Sequence, residues 1–222
     1  MAKVSKTGSV KREGGATREK IVHAAAQLIY SRGFNATSLA MVARAAGVNQ
    51  GSLYYFFRTK KMLALAIIAH FEALLRTHFL APAFGGEGSG REKLTRFAEL
   101  YSRPPSAESP CCGCPLGNLS LELASRDEEL RVRLAGVWEE VLGSVEGALR
   151  QAQRESALVP GADAEGLARA FFEQIQGAHI LARSTLDADA LPADCRRAIE
   201  NLPWKDDEAP KNTRQERMQG VR

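Results

Sequence analysis

Between Ser38 and Lys60 two apolar stripes of helical period meet at a single glycine. Leu39, Val42, Ala43 and Ala46 fall at i, i+3, i+4 and i+7, which is one face of a short helix. Gly47 stops it and supplies the positive φ that a tight corner needs. After a two-residue break Asn49 is placed to cap a second short helix, with Val48 and Leu53 at the positions of a hydrophobic staple. Helices this short are marginal in water and form only against a support. The support precedes them. Thr17 can cap a helix with Glu19 in its first turn, and Ile21, Ala24, Ala25, Leu28 and Ile29 line one side of it. Gly33 is placed to end that helix in a left-handed cap, and Thr37 to cap the next one.

The rest of the chain keeps the same period. A long helix is expected from Lys60, with Met62, Leu63, Ala66, Ile67, Phe71, Leu74, Leu75 and Phe79 as its stripe, until Pro82 and the run Gly85–Gly90 break it. Leu94, Phe97, Ala98 and Tyr101 predict a helix over 92–101. A Pro- and Ser-rich loop follows, and Pro115 can open a short helix to Ala124. Long helices are predicted from Asp127 to about Gln153 and over Ala164–Thr185, and a weaker one over 193–201. No segment carries the strand period, so the expectation is an all-α fold.

Charge divides the chain. Residues 1–62 hold eleven Lys and Arg against two Glu, a net +9, and the remainder carries −5 of the total +4. Such asymmetry points to a basic module for a polyanion joined to an acidic module with another task. No apolar run approaches the ~20 residues that span a bilayer. The basic, Gly-rich start has no apolar core behind it, unlike a secretory leader. A cytoplasmic protein without a membrane partner is expected. The four cysteines are too few and too bunched, at 111, 112, 114 and 195, for a disulfide framework.

Two short helices about a glycine corner match the helix-turn-helix, whose second helix presents its N-terminal residues to the major groove. Here those residues are Asn49, Gln50 and Ser52. Amides pair with adenine, helix N-termini favour phosphate, and the hydroxyls of Tyr54 and Tyr55 suit phosphate oxygens. Phe56 and Phe57 read as packing against the first and fourth helices. Lys60 stands at the head of the next helix, where a cation opposes the dipole and a nearby phosphate would offset the penalty.

At these residues the chain resembles the TetR family of transcriptional regulators. The likeness runs over Ala36–Leu63 and rests on Thr37-Ser38-Leu39, Ala43, Ala46-Gly47-Val48, Gly51-Ser52-Leu53-Tyr54, Phe56-Phe57 and Thr59-Lys60. Phe57-Arg58 departs from the family pattern, in a loop. The resemblance implies a dimeric regulator of nine or ten helices that binds a palindromic operator and is released by a small-molecule effector. It implies an N-terminal three-helix DNA-binding domain over 17–62 and a C-terminal ligand-binding and dimerisation domain over 63–204; by their own lack of apolar periodicity, residues 1–16 are expected to be a flexible basic arm and 205–222 a disordered tail. Thr37, Arg44, Asn49, Gln50, Ser52, Tyr54, Tyr55 and Lys60 are then the candidate DNA contacts. Lys3, Lys6, Lys11 and Arg12 can lie in a flanking minor groove or serve only as screened charge. The last two long helices resemble the pair that packs on its two-fold mate, and Gly136, Gly143, Gly147 and Gly177 within them suit close helix approach. The long fourth helix is the natural lever between pocket and DNA.

The segment Cys111–Ala124, "CCGCPLGNLSLELA", is the second unusual stretch. TetR-type regulators carry a similar G-C-x-x-G-N-L segment near the effector pocket, and Cys114 matches its cysteine. Three readings stay open. Cys114 is a small buried residue at the pocket, a sensor of electrophiles or oxidants, or part of a soft-metal cluster with Cys111, Cys112 and either Cys195 or a histidine. The candidate pocket lining is Leu100, Tyr101, Cys114, Leu119, Leu123, Trp138, Phe171, Phe172, Ile175 and His179, the last as polar anchor or simply a satisfied core histidine. The competing classes are a cysteine-dependent enzyme using Cys114 and His179, and an architectural DNA binder. No phosphate loop, H-E-x-x-H or G-x-S-x-G supports an enzyme. No cofactor and no metal are expected.

Overall fold

Gly47 sits at φ +63° between two seven-residue helices in the computed structural model, which describes residues 7–103 and 113–205, with side-chain surroundings from residue 14. These are α2, Leu39–Ala45, and α3, Gln50–Phe56. The corner is closed by the Val48 N–H on the Ala43 carbonyl at 3.0 Å. α1, Thr7–Arg32, supports both. Its buried residues begin at Ile21 and continue through Val22, Ala24, Ala25, Ala26 and Ile29. It ends as expected: Gly33 at φ +90° returns its N–H to the Ile29 carbonyl at 2.8 Å.

Two expectations about this region are corrected. The helix begins at Thr7 rather than Thr17, so more than half of the arm assigned to 1–16 is helical and Thr17 lies inside it. Helix continuation is local and needs no packing partner, and Gly14 and Gly15 meet nothing within 4 Å. Residues 1–6, the side chains of Lys11 and Arg12, Cys111, Cys112 and the tail from 206 lie outside the described residues. The cap of α2 is Ser38, whose Oγ accepts the Met41 N–H at 3.2 Å, while Thr37 is buried just before it.

α4, Lys60–Leu75, is capped by Thr59 and continues through a π turn, Arg76–Leu80, into α5, Ala81–Phe84. The predicted break at Pro82 does not occur. Proline lacks an N–H, and its ring collides with the carbonyl four residues back in a regular helix. The π turn widens the backbone just ahead of it: the Ala81 N–H bonds Arg76, five residues back. The resulting helix, Lys60–Phe84, is long and apolar enough by length and composition to span a membrane, contrary to the reading of the sequence. In this fold it is a core element. Leu63, Ala64, Ile67, Ile68 and Leu75 are buried, packed with α1 and the later helices. Glu72, only 4 % exposed, is paired with Arg133 and, at 2.7 Å, with Arg76.

Behind α4 stand α6, Gly90–Tyr101; α7, Pro115–Leu123; α8, Glu128–Arg154; α9, Ala164–Thr185; and α10, Leu191–Glu200. Their starts follow the side chains available. Ser89 and Glu92 form a capping box, Asp127 caps α8, and Cys114 caps α7 through its sulfur. α6 is the centre: Phe97 is fully buried among Phe84, Tyr101, Phe171 and Phe172, with ring centroids 5.2–6.4 Å apart. No strand occurs among the described residues, which are all-α.

α6 meets α8 at a glycine. A Cβ at Gly90 would lie 2.3 Å from the Ala148 carbonyl oxygen and 2.6 Å from the Ala152 nitrogen. Both are backbone atoms and cannot swing aside. Gly90→Ala is expected to destabilise by about 1–3 kcal/mol, lowering the thermal midpoint by a few degrees. An unchanged midpoint would show that the two helices slide freely.

Candidate functional site

α3 projects from the head by a simple division of its side chains. Leu53 and Phe57 are buried, with the Arg18 guanidinium 5.3 Å from the Phe57 ring centre. Gln50, Tyr54 and Tyr55 are exposed, Tyr55 by 79 %. Asn49 caps the helix as predicted, its Oδ1 accepting the Ser52 N–H at 2.7 Å, which leaves the amide –NH2 free to donate outward. Arg44 is exposed on α2, and Ser52 is half-buried. Six candidate DNA contacts therefore share the outer side of the corner or its edge.

The other two have inward tasks. Thr37 is 1 % exposed and donates its hydroxyl to the Gly33 carbonyl at 2.8 Å, so it fastens the turn and offers a phosphate nothing. Lys60 Nζ donates to the carbonyls of Phe34, at 2.7 Å, and Asn35, at 3.5 Å, and lies 4.4 Å from the Phe34 ring centre. The offset for a cation at a helix head is thus internal, without any phosphate. Partial burial lowers the Lys60 pKa, and the charge of Glu122 opposes that. No feature of local sequence pairs Lys60 with Phe34, because the contact forms only when α4 crosses the end of α1.

A cavity of about 150 Å3 opens in the body between α1, α4, the π turn, α6, α7 and α9. Its wall is almost wholly apolar, with Phe71, Leu74, Leu75, Phe79 and Leu116 around Tyr101, Cys114 and His179. A second space of about 410 Å3 adjoins at Gly113, Cys114 and His179 and is lined by Gln176, Trp138, Asn118 and Arg183. Of the residues predicted, Tyr101, Cys114, Trp138 and His179 line these spaces. Leu119, Leu123, Phe171, Phe172 and Ile175 are corrected to buried core, and Leu100 to a half-buried residue packed against it; these support the wall without reaching it. Tyr30, Phe79, Leu116 and Gln176 were missed as lining residues. Phe79 carried a signal, since it closes the α4 stripe, but only the π turn swings it toward Tyr101, 5.3 Å away centre to centre.

The polar groups of the cavity form one chain. Gln176 donates to the Tyr101 hydroxyl at 3.2 Å, leaving the phenol proton to face Cys114 Sγ at 3.3 Å. Burial holds the Tyr101 pKa well above its ordinary value, and the neighbouring Cys114 pushes it the same way, so the phenol keeps its proton. Cys114 Sγ also receives the Gly117 N–H at 3.4 Å as the α7 cap. His179 Nε2 lies 3.0 Å from the Tyr101 carbonyl, an acceptor only, so this nitrogen carries the proton. Burial lowers the His179 pKa, and the ring is neutral. A Cys114–His179 catalytic pair is therefore not formed: each side chain is committed to Tyr101. Burial pushes the Cys195 thiol up to about 12, far from reactive.

A helix-turn-helix with exposed amides and hydroxyls, mounted on a helical body that encloses an apolar cavity, defines a DNA-binding regulator with a separate sensing domain. The sequence profile described as "Bacterial regulatory proteins, tetR family" matches residues 21–67, and that described as "Tetracyclin repressor-like, C-terminal domain" matches residues 90–199. The chain belongs to the TetR family of transcriptional regulators and is not an enzyme. An HTH-type regulator of Lactococcus lactis subsp. lactis is 29 % identical over 180 residues, covering 80 % of this chain and 89 % of that one. The repressor NemR of Escherichia coli K12 is 26 % identical over 115 residues, 52 % of this chain and 58 % of its own, and its reduced form superposes with a TM-score of 0.71 at 22 % identity, covering 84 % and 98 % of the two chains. A TetR regulator from Chloroflexus aurantiacus J-10-FL superposes with a TM-score of 0.76 at 26 % identity, over 85 % of this chain and 95 % of that one.

The neutral His179 makes stability depend on pH. Its folded pKa lies below the unfolded 6.5, so the unfolded chain binds the proton first as pH falls. The contribution is present above pH 6.5 and is lost as pH drops through the folded value. The thermal midpoint should fall between pH 7 and pH 5, and the fall should be shallower in His179→Gln, which retains a donor for the Tyr101 carbonyl. An equally deep fall in the variant would contradict this assignment.

Proposed function

We propose that this chain is a cytoplasmic, homodimeric repressor that reads a palindromic operator with α3 and lets go when a small, largely apolar molecule fills the cavity at Cys114. The observation that carries the reading is the division of α3. Leu53 and Phe57 lock one side into the core, while Asn49, Gln50, Tyr54 and Tyr55 stand exposed on the other, where among the described residues the edge of Phe56 against Tyr55 is the ring contact. Asn49 and Gln50 read base edges, Arg44, Tyr54 and Tyr55 hold phosphates, and Ser52 lies between them. Cap geometry and groove geometry agree, because the residues that start a recognition helix are those nearest the bases.

The dimer rests on α8 and α9. α8 exposes Val132, Gly136, Gly143 and Gly147 along one stripe, and α9 exposes Ile180 and Leu181 beyond Gly177. A Cβ at any of those four glycines would meet nothing within 4 Å in the chain. Mid-helix glycine costs about 0.8–1 kcal/mol against alanine. With no close approach among the described residues, a second copy supplies one. Release is then a population shift: the effector favours a state whose two heads are wrongly spaced for adjacent half-sites. The relative NemR is named a repressor, which favours repression over activation here.

The position of Cys114 favours a second reading, a thiol-sensing repressor. Its sulfur lines both cavity spaces and caps a helix N-terminus. An electrophilic alkene entering there would form a bond to the sulfur, and the thiol proton would end on the adjacent carbon.

DNA selected by the protein from a random pool provides the test. Gln50→Ala is expected to weaken binding by about 1–3 kcal/mol, roughly 5- to 150-fold, and to relax the preference at one base position. Unchanged affinity and preference in Gln50→Ala, Arg44→Ala and Tyr55→Phe together would refute α3 as the reader. Treatment with N-ethylmaleimide separates the two readings of the cavity. Loss of DNA binding that Cys114→Ser prevents supports the sensor, and equal loss in both proteins eliminates it.

A further inference from the structure

We propose that α7 is a regulatory arm and that Glu122, at its far end, is the positioning residue through which the cavity and the reading head sense one another; this rests on the reading of the head as the DNA binder. The segment around α7 touches the head at three places. Before the helix, the Gly113 carbonyl accepts the Tyr30 hydroxyl at 2.9 Å. At its end, Glu122 Oε1 accepts the Phe34 N–H at 2.8 Å, and Oε2 accepts the N–H and the side-chain amide of Asn35, both at 2.9 Å. Beyond it, Arg126 donates to Asn35 Oδ1 at 3.3 Å.

The Phe34–Asn35 turn is thereby held from two sides. Its N–H groups face the carboxylate of Glu122, from the body, and its carbonyls face the ammonium of Lys60, from the head of α4. Hydrogen bonds to ionised groups are roughly twice as strong as neutral ones. The fit is close, since a Cβ at Gly33 would lie 3.0 Å from Glu122 Oε1. Four residues beyond the turn comes Leu39, the start of α2, and α2 carries the corner into α3.

α7 is also the element that the cavity grips. Cys114, its cap, lines both spaces, and Leu116 lines the apolar one. Leu116, Leu119 and Leu123 are buried, so the nine-residue helix moves as a rod about 13 Å long. α4 is tied to the body separately, by Lys61 on Asp127 at 2.9 Å and Glu129 at 2.8 Å. An occupant that shifts α7 relative to α4 turns the Phe34–Asn35 peptides, and with them the recognition helix. Coupling between sites is reciprocal, so DNA on the head must be felt along α7.

Reciprocity allows a test that needs no effector: amide hydrogen exchange of the full chain, free and bound to DNA it has selected. In the wild type, DNA should slow exchange of the α7 amides over 117–123 at least threefold. Glu122→Gln keeps the shape but points an –NH2 at two N–H donors. It should speed exchange at Phe34 and Asn35 about tenfold and abolish the DNA-induced slowing in α7. Asn35→Ala, which removes one of the three bonds, should leave part of that slowing and serves as the measure if Glu122→Gln folds poorly. Wild-type α7 amides indifferent to DNA, or variants that slow as fully as the wild type, would overturn the proposal. A wild-type chain that selects no DNA would overturn the DNA-binding reading itself, and this inference with it.

Discussion

Two peptide units at Phe34 and Asn35 are clasped between opposite charges, the carboxylate of Glu122 and the ammonium of Lys60. A turn directly after a helix normally leaves its polar groups to water. Here the turn lies where head, fourth helix and body meet, and its donors and acceptors are shared among them. The interaction has a direction, because peptide N–H and C=O groups point opposite ways. Rotating the turn would face donors with an ammonium and acceptors with a carboxylate. Thr37, fastened back to Gly33, stiffens the same turn from within. The junction adds a charged, directional constraint between head and body to the side-chain packing that sets the helix-crossing angles.

The cavity depends on irregularities in otherwise regular helices. A straight α4 would collide with Pro82 and keep Phe79 away from Tyr101; the π turn resolves both. The α7 cap is a cysteine, a poorer acceptor than serine or aspartate, and its sulfur therefore also serves as wall. Tyr101 gathers the remaining polar atoms by taking Gln176 and His179 on its hydroxyl and carbonyl and facing Cys114 with its proton. Among the described residues little polar surface is left on the apolar wall, which suits an apolar guest of modest size.

Much of this was legible in the order of residues. The corner at Gly47, the cap at Asn49, the left-handed end at Gly33 and the bounds Ala164–Thr185 all follow from rules that act over four residues or fewer. Cys114, Tyr101, Trp138 and His179 were found because unusual chemistry sits on otherwise apolar helices. The partners of Lys60 were hidden for the same local reason: a cation at a helix head looks unsatisfied until the carbonyls of a distant turn are placed beside it. Thr37 was misjudged because Thr and Ser in succession can each cap, and packing alone decides which faces inward. The flat list of core aromatics could not be divided into wall and filling, because stripe period gives the buried side of a helix but not which buried residues abut a void.

The sequence by itself determined an all-helical chain, a helix-turn-helix near its start, and a charge imbalance that sets a basic head against an acidic body. Those properties are additive over short windows: helical period, caps, glycine corners and net charge need no partner to be read. Only the tertiary structure decided that Glu122 reaches Phe34 across 88 residues, that Lys60 returns to the same turn across 26, and that the cavity forms beside Cys114. Contacts of that separation depend on the angles at which helices cross, and those angles come from the packing of whole side-chain surfaces, which no local window contains.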